Sequence, residues 1–391
     1  FHKKKASLDM NINELKKYEY IVFGFEHYNP LGIVRSLGEE GINPIGVIVK
    51  NKRRITSASK YFKELHMVDS VEEGYQLILK LFGKNSSSAG YVNTFILTSD
   101  DTMTSFLDCR YEEIKDKFIF YNAGETGRIT KYMDKELLSE LAVKYGLKIP
   151  KTYCVKKGSI PTGITYPVIT KAKDSVQYGW KENVFICNSE EELKNALSKV
   201  TQDEILVQQY VKKKNELCLD GLCINRGKDV FLSMGSTYNY LLPNSYSFTF
   251  TLKNNKDERI QNALVKMMSE IKFEGIFTIE FLVGEDDELY FIEINFRHSA
   301  WGYASTCLGM NLITNWAYGM IKGKIAEDIY KKIPDNYVAM VELPDFKNRV
   351  IKNHMNPIKW LKELKKCSCF YYYNKKDPKP FWSAVLSILS R

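Results

Sequence analysis

Phe277-Thr278-Ile279-Glu280-Phe281-Leu282-Val283-Gly284-Glu285-Asp286-Asp287-Glu288-Leu289-Tyr290-Phe291-Ile292-Glu293-Ile294-Asn295-Phe296-Arg297 is the stretch on which the fold turns. Two runs rich in Ile, Phe and Tyr flank the polar turn Gly284–Glu288, the pattern of a β-hairpin. Glu280 sits between apolar Ile279 and Phe281. In the second run Glu293 and Asn295 share a face at period two, and Arg297 follows two residues later. Carboxylates buried among such neighbours are uncompensated unless a cation joins them. Two carboxylates and an amide suit Mg²⁺, which also takes phosphate oxygens and water. The nearby Arg is suited to clamp a phosphoryl or acyl-phosphate group. The plainer reading is a solvated hairpin with one polar face, and Glu-x-Asn-x-Arg alone is too short a pattern to choose between them.

Upstream, residues 131–252 are mostly strand-like: Thr152–Val155, Val168–Lys171, Val184–Cys187, Ile205–Gln209, Leu217–Ile224, Val230–Met234 and Ser247–Leu252. A helical stripe of Leu137, Leu138, Leu141, Ala142 and Tyr145 precedes them, stopped by Gly146 and Pro150. Two further helices, Ser189–Lys199 and Asp257–Ile271, begin on capping residues. This part reads as α+β with mainly antiparallel sheet. The first hundred residues differ: strands at 19–24, 44–49 and 94–98 alternate with helices from Pro30 to Glu40 and over Val71–Leu81. That alternation predicts a parallel sheet with helices on its faces. The loops after its strands, Phe25–Asn29 and Ser99-Asp100-Asp101, lie at the carboxyl edge where such sheets bind ligands.

Glu280 … Glu293-Ile294-Asn295-Phe296-Arg297 resembles the metal-binding signature of the ATP-grasp superfamily, which includes D-alanine ligases, biotin carboxylases and carbamoyl-phosphate synthetases. Further pieces of the resemblance follow in family order over residues 19–330. Lys131, with Lys135 one turn on, matches the first phosphate-contacting lysine. Tyr166-Pro167-Val168-Ile169-Thr170-Lys171 resembles the strand that ends in the second. Ile205–Val211 resembles the segment between the lobes that reads adenine, through Gln209, Tyr210 and Val211. Glu216 matches the ribose-holding carboxylate. The segment after Lys171 departs from many relatives in having one glycine, Gly179, so Ser175 and backbone amides stand in for a glycine-rich phosphate loop. Asp174-Ser175-Val176 and Asn295–Leu312 together resemble D-aspartate-ligase-like carboxylate–amine ligases of peptidoglycan and surface-polysaccharide assembly.

The resemblance implies a pre-ATP-grasp α/β domain with a parallel sheet over 17–125. It implies an ATP-grasp fold with antiparallel sheets, in two α+β lobes at 126–212 and 213–330, and a small C-terminal unit over 331–391. It implies ATP and Mg²⁺, with Mn²⁺ as a substitute ion. Glu280, Glu293 and Asn295 would be metal ligands, Lys131, Lys171, Ser175, Gln209, Tyr210, Val211 and Glu216 would hold ATP, and Arg297 and Lys171 would be catalytic. Glu26, His27, Asn29, His298 and Ser299 are weaker candidates for substrate contact. The expected reaction joins a small-molecule carboxylate to an amine through an acyl phosphate, on a cell-wall or surface-polysaccharide precursor. The alternatives are carboxyphosphate chemistry and a non-catalytic ATP-binding regulator.

Composition is that of a folded rather than a disordered protein: 391 residues, 44% hydrophobic and 26% charged. That length suits two or three packed subdomains. No apolar run reaches membrane-span length, and no signal-peptide core follows the basic start, so a cytoplasmic location is expected. The net charge of +9 is dilute and not interleaved with aromatics as in a nucleic-acid module, so no nucleic-acid partner is expected. A homodimer stays open. Lys352–Lys366 mixes Ile358, Trp360, Leu361 and Leu364 with lysines, an amphipathic pattern that packs on the parent domain or touches an anionic membrane. The eight cysteines lack zinc spacing and read as free buried thiols. No Walker-type phosphate loop, nucleophile elbow or dinucleotide fingerprint occurs.

Overall fold

The computed structural model describes residues 12–83, 92–172, 184–242, 245–255 and 257–389. Two compact units make up the chain. The first contains Phe1–Thr130, Cys218–Thr278 and Asn295–Arg391; the second contains Lys131–Leu217 and Ile279–Ile294.

The first unit opens with β1 (Glu19–Phe25), β2 (Ile45–Val49), β3 (Glu64–Val68) and β4 (Thr94–Leu97), a parallel sheet in the order β3-β2-β1-β4. Its parallel pairing requires crossovers, which the helices Tyr28–Gly38 and Val71–Phe82 supply. Ile21, Phe23, Val47 and Ile96 are fully buried with Tyr75, Ile78 and Met103, the core that the apolar runs predict. Strand β3 is an addition. Its sequence, Glu-Leu-His-Met-Val, carries little apolar signal because it lies at the sheet edge, with Val68 as its buried residue. Gly24 lets the chain double back tightly after β1, since a Cβ there would lie 2.9 Å from that of Pro30. Asp100 caps the helix Asp101–Asp108, accepting from the amides of Thr102 and Met103, and so presents Asp101 on its first turn.

The second unit holds β5 (Thr152–Lys156), β6 (Val168–Ala172), β7 (Ile186–Cys187) and β8 (Glu204–Gln209), antiparallel in the order β5-β8-β6-β7. The helix Glu190–Lys199 starts where Ser189 Oγ accepts from the Glu192 amide and packs Leu193 and Leu197 against Ile205 and Val207.

The remaining strands are β9 (Lys213–Ile224), β10 (Asp229–Tyr238), β11 (Leu241–Leu242), β12 (Ser245–Tyr246), β13 (Thr249–Lys253), β14 (Gly275–Gly284), β15 (Leu289–Asn295), β16 (Tyr337–Met340) and β17 (Cys369–Phe370). Seven of them form a sheet in the order β15-β14-β9-β10-β13-β16-β17, and β11 pairs with β12 in a separate ribbon. The quoted hairpin is thus β14 and β15, closed where the Gly284 amide donates to the Glu288 carbonyl. The helix Glu258–Ile271 buries Ile260, Ala263, Leu264 and Met267, the face its spacing predicts.

Residues 331–391, expected as a small unit of their own, supply β16 and β17 to that sheet. They also supply Asp377, which pairs with fully buried Arg35 at 3.2 Å. The same guanidinium donates to the carbonyls of Tyr371 and Tyr372 at 2.8 Å each. In the helix Pro357–Leu364 Trp360 is buried, its indole N–H donating to Asp345 at 2.8 Å, while Ile358 and Leu361 stay exposed. Among the described residues no helix is long and apolar enough to cross a membrane.

Arg35→Met removes the cation, leaves the carbonyls of Tyr371, Tyr372 and Asp377 without that donor, and leaves the buried Asp377 carboxylate to Ser59 and the Lys60 amide. We expect a loss of about 3–5 kcal/mol in unfolding free energy, read from the urea midpoint of the intact chain.

Candidate functional site

The second unit contains a cleft of about 490 Å³, a volume suited to a small ligand. It is lined by Lys135, Thr152, Lys171, Leu206, Gln208 and Phe291 among others. Each polar member is placed by its element. A short helix, Arg128–Tyr132, stops, and Asp134 caps a new one, Lys135–Lys144, by accepting from the Leu137 amide at 2.9 Å. Lys135 therefore stands at the first helical position, where the helix dipole disfavours a cation. Its Nζ lies 3.1 Å from Glu293 Oε2 on β15. Lys171, on β6, donates to Gln208 Oε1 at 2.8 Å, and the Gln208 amide nitrogen donates to Thr152 Oγ1 at 2.8 Å.

Burial, and after it the charge of Lys135, pushes the Lys171 ammonium down to about 8, against the opposing pull of Glu293 and Glu216. Two ammonium groups sharing a half-buried cleft create the field a polyanion seeks.

Several residues expected to hold ATP do not line this cleft. Lys131 is exposed, its ammonium 5.9 Å from the ring centroid of Tyr132, and the cleft takes Lys135 in its place. Gln209 is exposed and accepts from the Lys151 amide; the residue facing the cleft is Gln208, because neighbours on a strand point to opposite sides. The Tyr210 amide is used by the Pro167 carbonyl, at 3.0 Å, and Val211 is half-buried. Glu216 is half-buried and pairs with Lys213 at 2.8 Å. Ser175 lies outside the described residues. Glu280 and Glu293 are half-buried members of the second unit, whereas Asn295 belongs to the first. The three offer hard oxygen donors only, a set that fits Mg²⁺. Among the described residues no group of three or more His, Cys, Asp or Glu side chains could hold a metal.

Arg297 organises a second cluster, in the first unit. Its Nε and one Nη each stand 3.1 Å from an oxygen of Asp101, a two-pronged pairing, and that Nη donates to Asn295 Oδ1 at 3.2 Å. Beneath it Asp220 is fully buried. Burial raises its carboxyl to about 6, although Ser299 and Thr278 donate to it at 2.5 and 2.8 Å and Arg297 opposes the rise. Asp220 and Asp101 were not anticipated. Asp101 carried a signal, its place after β4; Asp220 looks in sequence like one polar residue in an apolar strand.

The five weaker substrate candidates divide. Ser299 is buried with its hydroxyl engaged by Asp220 and by the Trp301 amide. His298 is buried against Asn29 at 3.1 Å, and burial followed by the charge of Arg297 pushes its imidazole down to about 3, so it is neutral. Asn29 also donates to the Ser99 carbonyl. Glu26 is buried and accepts from the amides of Ile55 and Ser57. These four brace loops. His27, whose Nδ1 accepts from the Asn29 amide, is the one exposed to solvent.

Residues 141–307 match the sequence model of the ATP-grasp family, described as an ATP-grasp domain. By sequence, no curated protein matches the chain. Among solved structures, the chain is similar to an L-amino acid ligase from Bacillus licheniformis, with 13% identity, 78% of this chain and 75% of that one covered and a TM-score of 0.55. It is similar to N5-carboxyaminoimidazole synthetase from Staphylococcus aureus complexed with ADP, at 15% identity, 87% and 86% covered and a TM-score of 0.63. It is also similar to the biotin carboxylase domain of 2-oxoglutarate carboxylase from Hydrogenobacter thermophilus, in complex with MgADP, ADP and bicarbonate: 19%, 82% and 73%, and 0.59. At these identities the likeness shows a shared fold.

Because the folded-state value of Lys171 is lowered, its charge is present below about pH 8 and lost above it. ATP should bind about tenfold more weakly at pH 9.5 than at pH 7 by calorimetry, the loss of one charge-assisted hydrogen bond. In Lys171→Arg, whose guanidinium stays charged throughout, that decline should vanish.

Proposed function

Given that this chain carries an ATP-grasp domain, we propose that it is an ATP-dependent carboxylate–amine ligase. The observation that carries this reading is the Lys135–Lys171 cleft beside Glu293: two cations at a site of nucleotide size, one already paired with an expected metal ligand. On this reading Lys135 and Lys171 bind the polyphosphate of ATP and Gln208 orients the Lys171 ammonium. Glu216 takes the ribose hydroxyls. Glu280, Glu293 and Asn295 would hold Mg²⁺, which would supply positive charge to the terminal phosphates. Lys135, which pairs with Glu293 at 3.1 Å in the free chain, would turn its ammonium to the phosphates of a bound nucleotide.

The substrate carboxylate attacks the γ-phosphorus in line, the bond to the β-phosphate oxygen breaks, and ADP leaves. An amine nitrogen then attacks the acyl carbon; the C–O bond to phosphate breaks, phosphate departs and the nitrogen loses its proton. Arg297 stabilises the developing oxyanion, held in aim by Asp101 and Asn295. The resemblance of residues 174–178 and 295–312 to D-aspartate-ligase-like enzymes supports a surface-polymer precursor as one substrate.

Phosphate release from ATP, measured against amino acids singly and in pairs with and without bicarbonate, tests this reading. Turnover that needs a carboxylate and an amine together supports it; turnover driven by bicarbonate alone moves the chain to carboxyphosphate chemistry. Tight ATP binding without turnover would make it a regulator. Within the ligase reading, Glu293→Gln should lower turnover by at least about a hundredfold with an unchanged circular dichroism spectrum.

A further inference from the structure

Two thiols separated by 62 residues meet in the first unit: Cys307, at the end of the helix Tyr303–Cys307, and Cys369, in β17. Their sulfurs lie 2.8 Å apart, inside ordinary non-bonded contact and roughly 0.8 Å longer than a disulfide bond. The surrounding segments are already held in register. The Tyr371 hydroxyl donates to the Trp301 carbonyl at 2.9 Å, and the Asn374 amide donates to the Tyr303 hydroxyl at 2.8 Å. Both cysteines thus belong to segments already tied together by hydrogen bonds.

The two sulfurs are also unlike. Cys307 is exposed and Cys369 is buried. Burial, and then the bond to Cys307, holds the Cys369 thiol well above the usual thiol range, so Cys307 is the one that meets a reagent first. Neither lines the ATP cleft. The expectation of uniformly buried thiols is corrected here, since Cys109, Cys154 and Cys307 are all exposed.

We propose that Cys307 and Cys369 are a modification site that forms a reversible disulfide by exchange with a low-molecular-weight disulfide such as glutathione disulfide. The Cys307 thiolate attacks one sulfur of the reagent, the reagent's S–S bond breaks, and one glutathione thiolate leaves. Cys369 loses its proton to water and attacks the Cys307 sulfur of the mixed disulfide. The second glutathione thiolate leaves, and both thiolates take up protons. The cysteine pair is oxidised by two electrons and the glutathione disulfide is reduced to two thiols. The product bond fastens the helix that begins six residues after Arg297 to the edge strand of the seven-stranded sheet.

The test uses the reduced full chain, incubated with glutathione disulfide, alkylated, digested and mapped by mass spectrometry. Expected are a Cys307–Cys369 linked peptide pair, loss of alkylation at both of these cysteines and a melting temperature raised by about 5 °C, all reversed by dithiothreitol. Cys369→Ser should stop at a stable glutathione adduct on Cys307, and Cys307→Ser should leave Cys369 unmodified. A wild-type chain that accumulates only the adduct on Cys307, links Cys307 to another cysteine, or reacts at Cys109 with the pair untouched overturns the proposal.

Discussion

Two ammonium groups, those of Lys135 and Lys171, line one half-buried cleft of the second unit, where burial first and their repulsion second hold Lys171 below the usual lysine range. Lys171 is desolvated and feels Lys135 directly; Lys135 sits at the positive end of its own helix. Among the described residues, Glu293 and Glu216 oppose the lowering at Lys171. Antiparallel β6 and β8 fix Lys171 and Gln208 on one face, and Gln208 in turn is fixed by Thr152 on β5. On the proposed reading, the arrangement holds this pair of charges in place for a multivalent anion.

The cluster around Arg297 follows the complementary logic. On the proposed reading Arg297 acts on transient negative charge, and Asp101 holds its guanidinium with two parallel contacts. Asp220 lies below, buried and raised toward neutrality, and ties Thr278 of β14 to Ser299 just beyond β15. His298, Asn29 and Glu26 then hold the loops at the carboxyl edge of the parallel sheet. Their burial explains why residue types that look reactive in sequence serve here as braces.

Most of the fold is legible from periodicity, because β1, β2, β4, β6, β8 and the hairpin are apolar runs whose burial is dictated by their composition. Edge elements are not: β3 is half polar, and β16 and β17 are short. The site is legible by residue type but less so by position. Which of Lys131 and Lys135 faces the cleft depends on whether one helix or two spans 128–144, and with the break at Asp134 Lys135 lines it. Gln208 and Gln209 are chemically identical neighbours, separated only by strand parity, which depends on pairing partners far along the chain. Asp220 and the Cys307–Cys369 pair depend on contacts across scores of residues, for which local sequence has no signal.

A crystal structure of the chain with ADP and Mg²⁺ tests the central claim most directly. Phosphate oxygens within hydrogen-bonding distance of both Lys135 and Lys171, with Glu293 turned from Lys135 to the ion, are the predicted result. A nucleotide bound elsewhere, with the Lys135–Glu293 pair intact and Lys171 still donating to Gln208 alone, would contradict it.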